Sequence, residues 1–299
     1  MTAPRRIILT GATGLIGKAL GKRLTALGYE VIPLRSRHEG PGGFDHLTGH
    51  IDCEALEGAH AVIHLAGESI AQRWTVAAKE RILSSRRDGT RLLSEALAGL
   101  KQKPEVFISM SGINRYGLHR NETLDESSVV SAEGFLPAVT EAWENAARPA
   151  SEGGIRTVLL RTALVLSAMG GGLKKMLPAF RLGLGGPIGG GRQQMSWIGL
   201  PDLVELIIWS METSAIRGPV NAVAPQPVTQ AEFAHTLGAV LRRPSSLPMP
   251  GWVASMIFGQ MGRETVLSDL AVYPSVALKG GFRFGTPDLD SALRQAIRE

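Results

Sequence analysis

The eight residues Thr10-Gly11-Ala12-Thr13-Gly14-Leu15-Ile16-Gly17 restrict the fold of this 299-residue chain more than any other segment. Ahead of them, residues 6–10 are a short apolar run (Ile7, Ile8, Leu9) that reads as a buried strand. Behind them, residues 14–28 space Leu15, Ile16, Ala19, Leu20, Leu24 and Leu27 along one helical face, and Gly28 closes the helix. A strand, a tight glycine turn and a helix, in that order, make a phosphate cradle. Gly11 makes the turn, Gly14 lets backbone N–H groups approach a pyrophosphate, and Gly17 allows close helix–strand packing. The flanking strand and helix raise this above a chance glycine pattern.

The alternation continues. Residues 29–34, 59–66, 104–110 and 155–160 read as strands, and 75–100 and 134–152 as helices. Strands separated by helices of that length imply parallel βαβ units. The expected fold class is α/β, a Rossmann-type doubly wound parallel sheet with a smaller C-terminal lobe. After Leu166 the texture changes to GGG, GLGG and GGG clusters within 170–191, read as loops around a short helix near 173–182. Further helices are expected at 201–212, 229–241 and 251–259. The expected division is residues 1–166 for the cofactor and 167–299 for substrate, with parts of 196–224 packing back on the first.

The end of the second strand reads Leu34-Arg35-Ser36-Arg37. A site for NAD would place a carboxylate there to accept from the ribose 2′-OH; two guanidinium groups and a hydroxyl suit a 2′-phosphate instead. The expected cofactor is NADP(H). Leu65, Ala66 and Gly67 end the next strand with small groups suited to the adenine-ribose side of the cleft, and His64 reads as a wall residue beside them.

Other function classes are disfavoured. The net charge of +5 is scattered and not interleaved with aromatics, which argues against nucleic acid. Cys53 is the single cysteine and no histidine pair has ligand spacing, so neither a disulfide framework nor a metal is expected. No run reaches the ~18 apolar residues of a membrane span, and a cytoplasmic protein without a membrane partner is expected.

GATGLIG, HLAG, SRRDGT and FISMSGINRYG resemble the extended short-chain dehydrogenase/reductase group. GESIAQRW, FLPAVTEAWENAA, the 161–198 segment and VNAVAPQPVTQAEFAHTLGAVLRRP are similar to its "epimerase family protein" subfamily. The resemblance implies that Arg86, Ser109 and Val165 also line the cofactor, that Arg192, Gln193 and Trp197 face substrate, and that a homodimer forms. It further implies a small carbonyl or sugar-like substrate.

One departure is plain. The group's chemistry uses Tyr with Lys four residues later, and Phe135 and Val139 stand at those positions. Ser111, Tyr116 (with Arg120 as partner) and Glu68 are the remaining candidates for proton handling. Two readings follow: an NADP-dependent oxidoreductase or epimerase with a nonstandard proton route, or an NADPH-binding sensor without turnover.

Overall fold

The computed structural model describes residues 4–36 and 38–298, so the expectation for Arg37 lies outside the described residues. The first half runs β1 (Arg6–Thr10), α1 (Leu15–Ala26), β2 (Glu30–Ser36), β3 (Gly43–Asp45), β4 (His50–Ile51), α2 (Cys53–Leu56), β5 (Ala61–His64) and α3 (Val76–Gly99). It continues with β6 (Val106–Gly112), a 3-10 turn (Ile113–Tyr116), β7 (His119–Leu124), α4 (Phe135–Ala146), α5 (Arg148–Glu152) and β8 (Arg156–Thr162). Then come β9 (Leu164–Leu166), α6 (Gly171–Arg181), β10 (Gln194–Met195), β11 (Trp197–Gly199), α7 (Leu200–Glu212) and β12 (Gly218–Ala222). The last stretch holds β13 (Val228–Thr229), α8 (Gln230–Leu241), α9 (Gly251–Glu264), β14 (Asp269–Val272), α10 (Ser275–Lys279) and α11 (Leu289–Arg298).

Eight strands form one sheet in the order β12-β8-β6-β5-β1-β2-β3-β4, parallel except for the β3–β4 pair. β1 lies between β2 and β5, so the chain leaves it to one side and later returns to the other. A crevice opens outside the carboxyl ends of the strands at such a reversal. Alternate strand residues serve opposite faces. Ile7, Leu9, Ile63, Ile108 and Leu160 pack with Leu20 and Leu24 of α1 and Leu203 and Ile207 of α7. Ile8, Val62 and Phe107 pack with Leu93 and Leu97 of α3 and with Ala150 of α5. Both faces are buried, which is why these strands read as unbroken apolar runs.

A separate core gathers Leu166, Leu173, Leu177, Trp197, Phe233, Leu237, Leu289 and Leu293 from β9, α6, β11, α8 and α11. α7 and β12 belong to the main core and sheet. Asp202, near the start of α7, is buried and accepts from the Gly285 and Thr286 amides (2.7 and 3.0 Å) and from Thr286 Oγ1 (2.8 Å), tying the last segment to that core.

Two helix boundaries differ from expectation. The helix over 134–152 breaks at Ala147 into α4 and α5, because Pro149 lacks an N–H and its ring crowds the carbonyl four residues back. α9 continues past 259 to Glu264, through a kink. Among the described residues no helix is long and apolar enough to cross a membrane.

Candidate functional site

The glycine turn is built as tightly as its sequence requires. Gly11 holds φ +69°, and a Cβ there would stand 2.8 Å from the Leu65 carbonyl carbon and 2.9 Å from the Ala66 nitrogen. A Cβ on Gly17 would collide with the Gly11 carbonyl oxygen. The Gly14 amide donates to Gly11 O (3.0 Å), and α1 begins with no side-chain cap and no acidic residue in its first turn. The positive end of α1 is therefore left to an external anion, with Ala12, Thr13, Leu15 and Ile16 around it. These residues fit a dinucleotide pyrophosphate.

Arg35 and Ser36 end β2 exposed beside that turn, with no carboxylate in the strand's last turn of sequence. Leu65, Ala66 and Gly67 follow β5 against Gly11. Arg86 lies over Gly67: a Cβ there would sit 3.3 Å from Arg86 Cζ. Arg86 Nη1 donates to Glu68 O (2.9 Å) and Ile82 O (3.1 Å), and the guanidinium rests 4.9 Å from the Trp143 ring centroid. Burial pushes its pKa down to about 10 against the opposing charge of Glu68, so it stays a cation at neutral pH. Arg86 clamps α3 to the turn after β5.

His64 is not a cleft wall; it is fully buried. The Leu65 and Ala66 amides donate to Thr10 Oγ1 (both 3.1 Å), occupying its lone pairs, so the Thr10 hydroxyl must donate to His64 Nδ1 (2.7 Å). Nε2 then carries the proton and donates to Thr90 Oγ1 (3.0 Å). This neutral imidazole bolts β1, β5 and α3 together beneath the crevice. Burial, then the charges of Arg86 and His46, lowers its pKa to about 3.

The expected hydroxyl of Ser111 is likewise committed elsewhere. Ser111 is buried and donates to Glu144 Oε1 (2.8 Å). Arg161, next to it in register, donates to both Glu144 oxygens (2.7 and 2.8 Å), and Arg115 Nε stands 3.6 Å from Glu144 Oε2. Burial works against the Arg161 charge, but the bonds and charge of Glu144 outweigh it and the pKa is raised. Tyr116 also departs from expectation. It closes a 3-10 turn, fully buried, with its hydroxyl donating to Asn221 Oδ1 (2.8 Å) and Arg161 over its ring at 4.9 Å. Burial raises its pKa, with Arg161 opposing. Arg120 reaches the Tyr116 backbone carbonyl (3.1 Å), not the phenol. Ser109 is buried behind these groups, and Val165 is half-buried in β9.

Glu68 is the partly open candidate. Its amide donates to Ser85 Oγ (3.0 Å), and its carboxylate accepts from Gln72 Nε2 (3.0 Å) with Arg81 Nε at 3.7 Å. Two substrate-facing expectations fail because the side chains pack inward. Gln193 donates to Ile188 O (2.8 Å) and Val266 O (3.4 Å), and Trp197 is fully buried with Nε1 donating to Gln226 O (3.1 Å). Arg192 is exposed. One feature was missed in sequence. Glu264, buried in α9, accepts from the Phe135 and Leu136 amides (3.2 and 2.8 Å) and from Gln260 Nε2 (2.6 Å), capping α4 where its own Gly134 cannot. No local motif announces a cap delivered from 129 residues away.

Fold and turn define an extended dinucleotide-binding class of α/β protein. The NAD-dependent epimerase/dehydratase family matches residues 7–222, and a domain of unknown function (DUF1731) matches 249–296; the chain belongs to that epimerase/dehydratase family. It is 35% identical over 98% of its length to "Epimerase family protein SDR39U1" of Homo sapiens, covering 99% of that protein. It is also 35% identical to "Epimerase family protein YfhF" of Bacillus subtilis, covering 98% of each. The crystal structure of human SDR39U1 isoform 2, solved with NADPH, superposes with a TM-score of 0.90 at 34% identity, covering 98% and 99% of the two chains.

Proposed function

We propose that this protein binds NADP(H) and acts as an oxidoreductase or epimerase-like enzyme on a small carbonyl or sugar-like substrate. The supporting observation is the uncapped start of α1 behind a turn where Gly11 and Gly17 leave no room for a side chain. The turn from Gly11 to Gly17 would hold the pyrophosphate, Arg35 and Ser36 the 2′-phosphate, and Leu65 to Gly67 the adenosine side. That human SDR39U1 was crystallised with NADPH supports the same choice of cofactor.

When bound, the reduced nicotinamide supplies a hydride. The chain's own part is to position the substrate and exchange a proton. With Phe135 and Val139 at the usual acid/base positions, and Ser111 and Tyr116 buried and bonded to Glu144 and Asn221, Glu68 is our assignment for that exchange. Glu68→Gln should leave NADPH affinity unchanged while lowering turnover on a carbonyl panel by about 100-fold or more, the range of acid–base catalysis. Unaltered turnover removes Glu68 from the mechanism. The burial of Ser111 and Tyr116 favours a second reading, NADPH binding without turnover. A parent protein that binds NADPH yet neither oxidises it across the carbonyl panel nor epimerises a panel of sugars would support that reading.

A further inference from the structure

Four arginines of this protein hold a carboxylate in the same way. Arg23, Arg87, Arg161 and Arg294 each turn the guanidinium edge formed by Nε and Nη2 to the two oxygens of Glu205, Asp88, Glu144 and Asp290, at 2.6–3.5 Å. Two parallel N–H donors match the two oxygens of one carboxylate. Arg86 has the same edge, and among the described residues nothing bonds to it. Its two hydrogen bonds, to Glu68 O and Ile82 O, both leave from Nη1.

This free edge belongs to a cation drawn away from water. Arg86 is half-buried over the Trp143 ring, and burial brings its pKa down to about 10. A buried charge is stable only against acceptors or an opposing charge. Glu68 opposes it, but that carboxylate is bonded to Gln72 Nε2 and faces Arg81 at 3.7 Å. Trp143 adds another donor, since its Nε1 is buried with no acceptor among the described residues. The surplus here is of donors, so the group that completes the spot brings acceptor oxygens and negative charge.

Its position identifies the source of that group. Leu65 and Ala66 back directly onto Gly11 of the glycine turn, and Gly67 comes next. A Cβ on Gly67 would stand 3.4 Å from Arg86 Nη2, so the bare glycine keeps this nitrogen uncovered at the end of β5. Glu68, assigned above to proton exchange, is the following residue. A grip for an anion and a proton-exchanging group thus stand side by side, which suits a carbonyl bonded directly to a carboxylate.

We propose that the Nε–Nη2 edge of Arg86 binds the carboxylate of a small 2-oxo acid, so that the substrate is an anion and not a neutral sugar. This rests on the NADP(H) reading above and gives Arg86 to the substrate, where the resemblance gives it to the cofactor. Calorimetry of the full chain saturated with NADP+ tests it with pyruvate and with pyruvamide, its uncharged counterpart. Pyruvate should bind about 30-fold more tightly, the worth of hydrogen bonds to a charged group. Arg86→Gln should cut that preference to about threefold or less. Arg86→Lys, which keeps the charge without two parallel donors, should retain only part of it. Gly67→Ala leaves Arg86 in place but sets a methyl group against Nη2, and should also reduce the preference. Equal binding of the two probes by the parent protein, binding of neither, or a preference that survives in Arg86→Gln and Gly67→Ala overturns the proposal. So does weaker NADP+ binding in Arg86→Gln with the pyruvate preference intact, which would hand the edge to the cofactor's diphosphate. Titration with NADP+ alone separates the two failures: heat without a pyruvate preference sinks only the carboxylate site, whereas no heat removes the cofactor reading beneath it.

Discussion

A single histidine sets part of the acid sensitivity of this protein. His64 is neutral between two threonine hydroxyls, and its folded pKa of about 3 lies below the ordinary 6.5. The unfolded chain therefore takes up the proton first as pH falls. Stability present above pH 6.5 is lost as pH falls from 6.5 towards about 3, because the unfolded chain binds a proton there that the folded chain does not. His64→Gln should lower stability at neutral pH yet flatten urea-unfolding free energy across that window; an unchanged slope would assign the acid loss to other groups. The sequence showed a histidine after an apolar run but not its depth. Two hydroxyls 54 and 26 residues away make the difference between a cleft wall and a core bolt.

Among the elements, α4 is tied to the sheet by one carboxylate. In the dehydrogenase/reductase group the resemblance gives this helix the proton relay; here it carries Glu144, which binds Ser111 of β6 and Arg161 of β8. Removing one partner of a buried ion pair leaves an uncompensated charge, so Glu144→Ala should cost about 3–5 kcal/mol in denaturant unfolding. A loss below about 1 kcal/mol would mean that Arg161 finds water or another acceptor. Phe135 and Val139 of α4 were legible, since they are simply read off. The Glu144 network was not, because Ser111, Glu144, Arg161 and Asn221 meet only through sheet register and helix packing. α11 shows a different gap: Leu289, Ala292, Leu293 and Ala296 have the spacing of a buried helical face that was open to reading.

For the whole molecule, the parallel β1–β2 start of the sheet follows from what the first forty residues already contain: a strand, a glycine turn, a helix and a second strand ending in Arg35 and Ser36. Periodicity is a local signal and carried the α/β assignment. How the later segments return to the main core is not local, and only the packing of α7, the pairing of β12 with β8, and Asp202 beside Gly285 and Thr286 display it. In the proposed function, backbone amides and a helix end capture a diphosphate while cations at the end of β2 select the phosphorylated ribose. Calorimetric titration of the parent protein and of Arg35→Ala with NADPH and NADH tests it most directly. NADPH should bind tighter than NADH by about 100-fold, some 2.7 kcal/mol, with the gap narrowed about tenfold in the variant. Equal affinities in the parent protein, or no heat from either nucleotide, would contradict it.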